Sequence, residues 1–264
     1  MKKIAFMVLS LIITVAAAYY QRKTGPTYPV EGKAPLNDSV IKYSLSRSHG
    51  GEEDYEVTIQ AENRDVGGYV LFKRYKTEDP WTQVPMERKG DSLVATLPHQ
   101  PPAGKLMYRV ILTYQGKEVP LTADKPVIIR FKGDVPVSVT ILHVIVMFLA
   151  MLVSNRAGIE AFNPEGKLMK YAFWVIGLLF AGAFILGPLM QKFAFGVWWS
   201  GFPLGFDLTD NKTLIAFIGW VLALIMGRNK KSGRWWYLGA ALLLFAVYMI
   251  PHSLLGSELD YPQM

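Results

Sequence analysis

Asp134-Val135-Pro136, followed by VSVTILHVIVMFLAMLVS over residues 137–154, is where this 264-residue chain changes character. Before it, charged residues recur every few positions. Within it the single ionisable side chain is His143, and Asp, Glu, Lys and Arg are absent. A helix of this length rises about 1.5 Å per residue, close to the roughly 30 Å of a bilayer's hydrocarbon core. The stretch therefore reads as a membrane-spanning helix. Three more apolar stretches follow it, Tyr171 to Met190, Leu214 to Met226 and Trp235 to Ile250. Leu214 to Met226 reaches spanning length only if Asp210 to Thr213 cap it at the interface. A fifth stretch, Ile4 to Tyr20, lies behind Met1-Lys2-Lys3. It has the make-up of a signal peptide, with Ala16-Ala17-Ala18 as a cleavage site, or of an uncleaved anchor. The reading adopted is an anchor over 1–21, a β domain over 22–134 and a four-helix transmembrane domain over 135–264.

Charge gives this arrangement a direction. Arg22 to Asp134 holds 17 Lys+Arg against 15 Asp+Glu and is nearly neutral. The pieces Lys2-Lys3, Arg156 to Lys170 and Arg228 to Arg234 together hold nine basic residues against two acidic ones. Basic residues beside membrane spans remain cytoplasmic, so both basic connectors belong inside. The β domain, the loop after the second span and the C-terminal residues then lie outside. A bacterial inner membrane, crossed several times, is the expected location. Trp174, Trp198, Trp199, Trp235 and Trp236 fall where aromatic belts are expected.

The pI near 9.4 comes from these membrane-flanking pieces, so nucleic acid is not an implied partner. There is no cysteine, which excludes disulfides, thiolate metal sites, iron-sulfur clusters and covalent c-type haem. The nucleophile elbow, the P-loop, the H-E-x-x-H helix and the dinucleotide fingerprint are all missing. The spans show no repeat of the transporter kind. Their inner halves offer almost no polar pathway.

Between residues 35 and 133 the periodicity is that of strands. Apolar and polar residues alternate in Tyr55-Glu56-Val57-Thr58-Ile59, in Tyr69-Val70-Leu71-Phe72 and in Tyr108 to Tyr114, with turn signals at Ser48 to Gly51, Asn63 to Asp65, Gly90-Asp91 and Gln115-Gly116. Seven or eight short strands in an antiparallel sandwich are expected. The run Trp81 to Met86, then Ser92 to Leu97, a Pro-rich connection and Tyr108-Arg109-Val110 resembles fibronectin type III and related immunoglobulin-like domains. That resemblance implies a docking or spacer module and no catalytic residues. His49 and His99 are expected as solvated turn residues, and Glu52-Glu53-Asp54 as a solvated acidic turn.

The outer loop within 191–213 has the most unusual composition. GVWWSGFPLGFDLTDNKT over 196–213 carries three glycines, a proline and four aromatics, yet is too apolar for free exposure to water. Irregular backbone at membrane depth has to be buried in protein. The loop should lie against the outer helix ends, under the β domain or in a partner's interface, with Trp198, Trp199, Phe202 and Phe206 as candidate partner-binding residues. At its acidic end, Thr209 or Asp210 caps the next helix and Asp207 offsets Lys212. In the sharper reading, Asp207 and Asp210 form part of a cation or proton site.

His143 is a functional candidate because an intramembrane ionisable group is costly. The bland alternative is a neutral ring bonded to a neighbouring helix. His252, just past Pro251, is its one possible histidine companion on the outer side of the helices. The two could serve haem b, although their depths differ. A copper, iron or zinc site using His143, His252 and one of Asp207, Asp210 or Glu258 tolerates that difference better. Two readings therefore stand. One is a non-enzymatic membrane subunit or accessory protein that docks a protein partner on the outer side. The other is a redox or metal-binding membrane protein with its site near the outer leaflet.

Overall fold

The computed structural model describes residues 2–36, 39–122, 125–228, 233–251, 259 and 261. The chain divides into a helical unit, Met1–Pro26 with Val135–Ser257, and a β unit, Thr27–Asp134 with Glu258–Met264.

The β unit has eleven strands among the described residues. They are β1 (Val30–Leu36), β2 (Ser39–Leu45), β3 (Ser48–Gly50), β4 (Tyr55–Gln60), β5 (Gly67–Arg74), β6 (Thr82–Pro85), β7 (Glu87–Lys89), β8 (Ser92–Leu97), β9 (Lys105–Tyr114), β10 (Lys117–Pro120) and β11 (Val127–Lys132). β1 and β2 form a hairpin, and β4-β8-β7 form a three-stranded sheet. The largest sheet runs β3-β11-β9-β5-β6, with β10 also on β9. Long β9 is its spine: β5 pairs along it from Leu106 to Thr113, while β11 takes Lys105 to Tyr108 and β10 takes Ile111 to Tyr114. The expected alternation is present, since Val57 and Ile59 of β4 are buried while Glu56 and Thr58 face out. One core joins Val57, Ile59, Leu93 and Leu97 to Val70, Leu106, Tyr108, Val110, Ile129 and Phe131, so both larger sheets contribute to it.

The sheet is not wholly antiparallel. Ser48 to Gly50, expected as a turn, forms β3 and pairs parallel to β11, with Arg130 opposite Ser48. His49 is therefore a strand residue, and it packs on the rings of Tyr55 and Phe131, with centroids 5.3 and 5.6 Å away. His99 meets Phe131 edge-on at 5.6 Å. Both histidines are half-buried ring partners, where solvated turn residues were expected. In the acidic turn, Asp54 accepts the His99 N–H at 2.7 Å.

The C-terminal residues complete this unit. Tyr261 is buried, and its hydroxyl accepts the Lys105 N–H at 2.9 Å while lying 3.0 Å from Gln100 Oε1 and 3.1 Å from the Lys105 carbonyl. The Arg74 guanidinium covers the ring at 5.2 Å. The Leu259 N–H donates to the Ala103 carbonyl at 3.3 Å.

The helical unit contains α1 (Lys2–Thr24), α2 (Val137–Glu160), α3 (Leu168–Leu179), a π-helical stretch (Phe180–Leu186), α4 (Gly187–Phe195), α5 (Leu208–Met226) and α6 (Arg234–Met249). Four helices are long and apolar enough to cross a membrane: Lys3–Thr24, Val137–Glu160, the continuous Leu168–Phe195 and Leu208–Met226. Side chains such as Ile141, Ile145, Phe173, Ile218 and Leu242 point outward. Helices that are apolar on every face belong in lipid, so this is the pattern of a multi-pass membrane protein. The short member is α6, at 16 residues or about 24 Å. Ile250 is already extended (ψ 117°), the conformation favoured before a proline, and Pro251 has no N–H to continue the helix.

The π stretch also follows from a proline. Pro188 has no N–H to offer the turn before it, and the Gly187 N–H reaches back five residues to the Gly182 carbonyl. Gly182 lies hard against α2: a β-carbon there would fall 2.5 Å from Met147 Sδ.

Two polar features inside the unit were not foreseen. α1 and α2 share buried Ser10, Thr14, Ser154 and Asn155, with Asn155 Nδ2 donating to Thr14 Oγ1 at 3.1 Å. Immediately after Asn155, Arg156 pairs with Glu160, both buried, and the guanidinium lies over the rings of Phe6 (5.4 Å) and Tyr171 (5.3 Å). His143 is thus not the sole ionisable side chain on the helices. α2 runs six residues past Ser154, where the apolar sequence ends, and carries this pair with it.

Candidate functional site

The 196–207 loop is built from its two ends inward. α4 stops at Gly196, which takes the left-handed conformation (φ 77°) and returns its N–H to the Lys192 carbonyl at 3.0 Å. α5 starts at Asp207, whose carboxylate accepts the Thr209 and Asp210 N–H groups. Asp207 is thus the N-cap, in place of Thr209 or Asp210. A carboxylate is favoured there by the unpaired N–H groups and the positive end of the helix dipole.

Asp210, one turn along, is buried and holds the loop. Its carboxylate accepts the Ser200 N–H at 2.9 Å, the Ser200 hydroxyl at 3.2 Å and the Gln191 amide, which reaches both oxygens at 3.1 and 3.0 Å. Asn211 accepts the Phe202 N–H at 2.6 Å. Within the loop, Leu204 and Gly205 donate to the Gly201 carbonyl, and Asp207 donates to the Ser200 carbonyl, each at 2.9 Å. The Phe202–Pro203 peptide is cis. Gly201 and Gly205 are there for space: a β-carbon would stand 2.6 Å from Asp210 Cβ at the first and 2.3 Å from the Ser200 carbonyl oxygen at the second.

This folding sorts the loop's aromatics. Trp199 turns inward, stacking on Phe184 of the π stretch at 5.7 Å while its indole N–H donates to the Phe202 carbonyl at 3.1 Å; Phe184 in turn meets Phe217 of α5 at 4.9 Å. Phe202, Leu204 and Phe206 turn outward, 63%, 77% and 91% exposed, and Trp198 is exposed too, under the Lys192 ammonium. Of the four candidate partner-binding residues, three are exposed and Trp199 packs inward. Leu204 is exposed as well and was missed, because a lone leucine between Pro203 and Gly205 carries no periodic signal.

Lys212 is poorly placed for a helix start by sequence, yet it is buried and donates to the Ile250 carbonyl at 2.5 Å, beyond the end of α6. The last carbonyls of a helix carry its negative end, so an ammonium is favoured there. Lys212 thereby ties the first turn of α5 to the last of α6.

His143 Nδ1 lies 3.1 Å from the Gly182 carbonyl. A carbonyl only accepts, so the ring carries its proton on Nδ1 and presents Nε2 as the lone-pair nitrogen. This is the neighbouring-helix bond of the bland reading, made to the same carbonyl that receives the π-type bond from Gly187. His252 and Glu258 lie outside the described residues. Among the described residues, no three His, Asp or Glu side chains are grouped so as to hold a metal ion. Asp207 and Asp210 are close in the chain, but one caps α5 and the other binds the loop.

No protein-family model, curated protein or solved structure matches this chain.

Proposed function

We propose that this protein is a non-enzymatic integral membrane subunit or accessory protein whose 196–207 loop docks an apolar surface of a partner protein on the extracytoplasmic side of a bacterial inner membrane. One observation carries the reading: a loop whose backbone and carboxylates are tied down by hydrogen bonds still exposes Phe202, Leu204 and Phe206. A loop stabilised by its own burial would turn such residues inward. Rigid, pre-arranged aromatic anchors are what binding interfaces use, because little side-chain entropy is left to lose.

The β unit, in this reading an immunoglobulin-like sandwich of the fibronectin type III kind, lies on the same outer side as the loop. Chain parity supports this. Leu259 and Tyr261, which follow α6, belong to the same unit as the strands that precede α2. Extended chain cannot cross a bilayer with its backbone unpaired, so the helices from α2 to α6 must make an even number of crossings. The basic 163–170 and 228–234 connectors then fall on the cytoplasmic side. The α1 contacts favour a retained anchor, since Thr14 bonds to Asn155 and Gln21 donates to the Tyr248 carbonyl at 2.9 Å.

Purification of the full chain in mild detergent tests the reading. The wild type should elute as a hetero-complex. The double variant Phe202→Asp, Phe206→Asp should elute as a monomer with an unchanged melting midpoint, because neither side chain holds the loop together. A monodisperse wild-type monomer would count against it. The absorbance spectrum and metal content of the same sample test the redox alternative, which requires a Soret band or stoichiometric metal.

A further inference from the structure

At the far end of the helical unit from the aromatic loop, residues 163–170 line one cavity of about 420 Å³ together with Gly227, Arg228, Arg234 and Tyr237. Its wall includes Lys167, Lys170, Arg228 and Arg234, against a single carboxylate, Glu165. Among the described residues, none of the four cations has an ion-pair partner. Two helices begin at the same wall. α3 starts at Leu168 and α6 at Arg234; neither has a side-chain cap or an acidic residue in its first turn. Their N-terminal N–H groups and dipoles add positive potential to the four side chains. Arg234 Nε is buried and has no acceptor among the described residues. The connector is shaped rather than loose: Asn163 bonds Glu160 at 2.7 Å, and Gly166 packs so close to Glu160 that a β-carbon would stand 2.7 Å from its Cγ.

Lys167, Lys170 and Arg228 are exposed and Arg234 is half-buried. They converge with two uncapped helix starts on a half-open volume within the range of small-molecule sites. We propose that this cavity binds a phosphate-bearing anion, as the headgroup of an anionic phospholipid or as a free phosphate compound. Planar guanidinium groups from Arg228 and Arg234 take phosphate oxygens in pairs, while Lys167 and Lys170 act as point charges. The apolar walls from Leu168 and Met169 suit the start of a lipid's acyl chains. This proposal goes beyond partner docking and does not depend on it.

The test uses the full chain in uncharged detergent, with phosphatidylglycerol, phosphatidylcholine or inorganic phosphate added and the melting midpoint followed. Phosphatidylglycerol should raise the midpoint and phosphatidylcholine should not. Inorganic phosphate, if it also raises the midpoint and competes, assigns the site to free phosphate compounds; if it does not, the site is for the lipid. Lys167→Gln and Arg234→Gln should each weaken phosphatidylglycerol about fivefold, near the ~1 kcal/mol expected of a cation at an anionic surface. Together they should weaken it about 25-fold. Lys192→Gln, at the other end of the bundle, should leave affinity unchanged. Should the double variant fail to fold, the two single variants carry the same comparison. Equal response to phosphatidylcholine, unaltered affinity in the Lys167 and Arg234 variants, or no response to either phosphate source would overturn the proposal.

Discussion

Replacing Asp210 with alanine should loosen the outer loop while leaving α5 capped, because Asp207 holds the cap separately. The carboxylate serves three donors: the Ser200 N–H, the Ser200 hydroxyl and the Gln191 amide. A buried donor left without its acceptor costs about 1–3 kcal/mol. The hydroxyl can rotate to another acceptor and the amide is only partly buried, so the loss should be about 3 kcal/mol in all. For a unit of this size each kcal/mol lowers the midpoint by about 2–4 °C, giving a drop of roughly 6–12 °C. Asp210→Asn retains one acceptor oxygen but turns an NH₂ towards the same donors, and should lose about half as much. Tryptophan fluorescence in detergent is the assay, since Trp81 is the single tryptophan in the β unit and the other six lie in the helical unit. Chymotrypsin should cut between 198 and 206 faster in the alanine variant. A midpoint within about 2 °C of wild type together with unchanged cleavage would refute the anchoring role of Asp210.

Three further outcomes follow from buried or paired groups. Glu160→Ala leaves the Arg156 guanidinium buried without its counter-charge and should destabilise the helical unit by about 3–5 kcal/mol; Arg156→Met with Glu160→Leu should recover most of that loss in the same melt, and equal losses would show that the pair is not coupled. Tyr261→Phe removes the acceptor of the Lys105 N–H, so exchange of that amide should quicken about tenfold or more, read by hydrogen-exchange mass spectrometry; unchanged exchange would refute the tail's role. The Arg74 guanidinium, 2.6 Å from Asp79, holds its carboxyl below the usual carboxylate range. A depressed carboxylate stabilises fully above its unfolded pKa of about 3.9 and loses that contribution as pH falls through the native value. The gap in urea midpoint between wild type and Asp79→Asn should therefore be open at pH 6 and narrow as pH falls below about 4; a constant gap would contradict the pairing.

The parts of this fold that sequence made legible are those with a short period or a hard length limit. Val57 and Ile59 alternate with polar neighbours, and the Val137 to Ser154 run has the length of a bilayer. The parallel pairing of β3 with β11 joins segments about 80 residues apart through three residues, too few to show an alternation. Arg156 and Glu160 stand at i and i+4, a spacing that invites a helical pair, but they lie just past the apolar run and so read as loop. Thr209 and Asp210 read as the candidates to cap α5, yet Asp207 takes that place. Which one caps depends on the angle at which the loop enters, and that angle is set by contacts with Ser200 and Gln191 that no local pattern encodes. The same limit applies to Trp199 and Phe202, equal in composition but opposite in orientation because one indole finds Phe184 to stack on.

The Tyr261 contact with Lys105 and Gln100 has a consequence for the order of synthesis. A ribosome finishes all of β1 to β11 before it begins α2, yet the residue that fills this place on the β unit is made after α6. Until then Lys105 N–H and Gln100 look out on an empty slot. The strands thus receive this piece only after α6 has been translated, so a filled slot is a molecular record that elongation passed the last of the helices described.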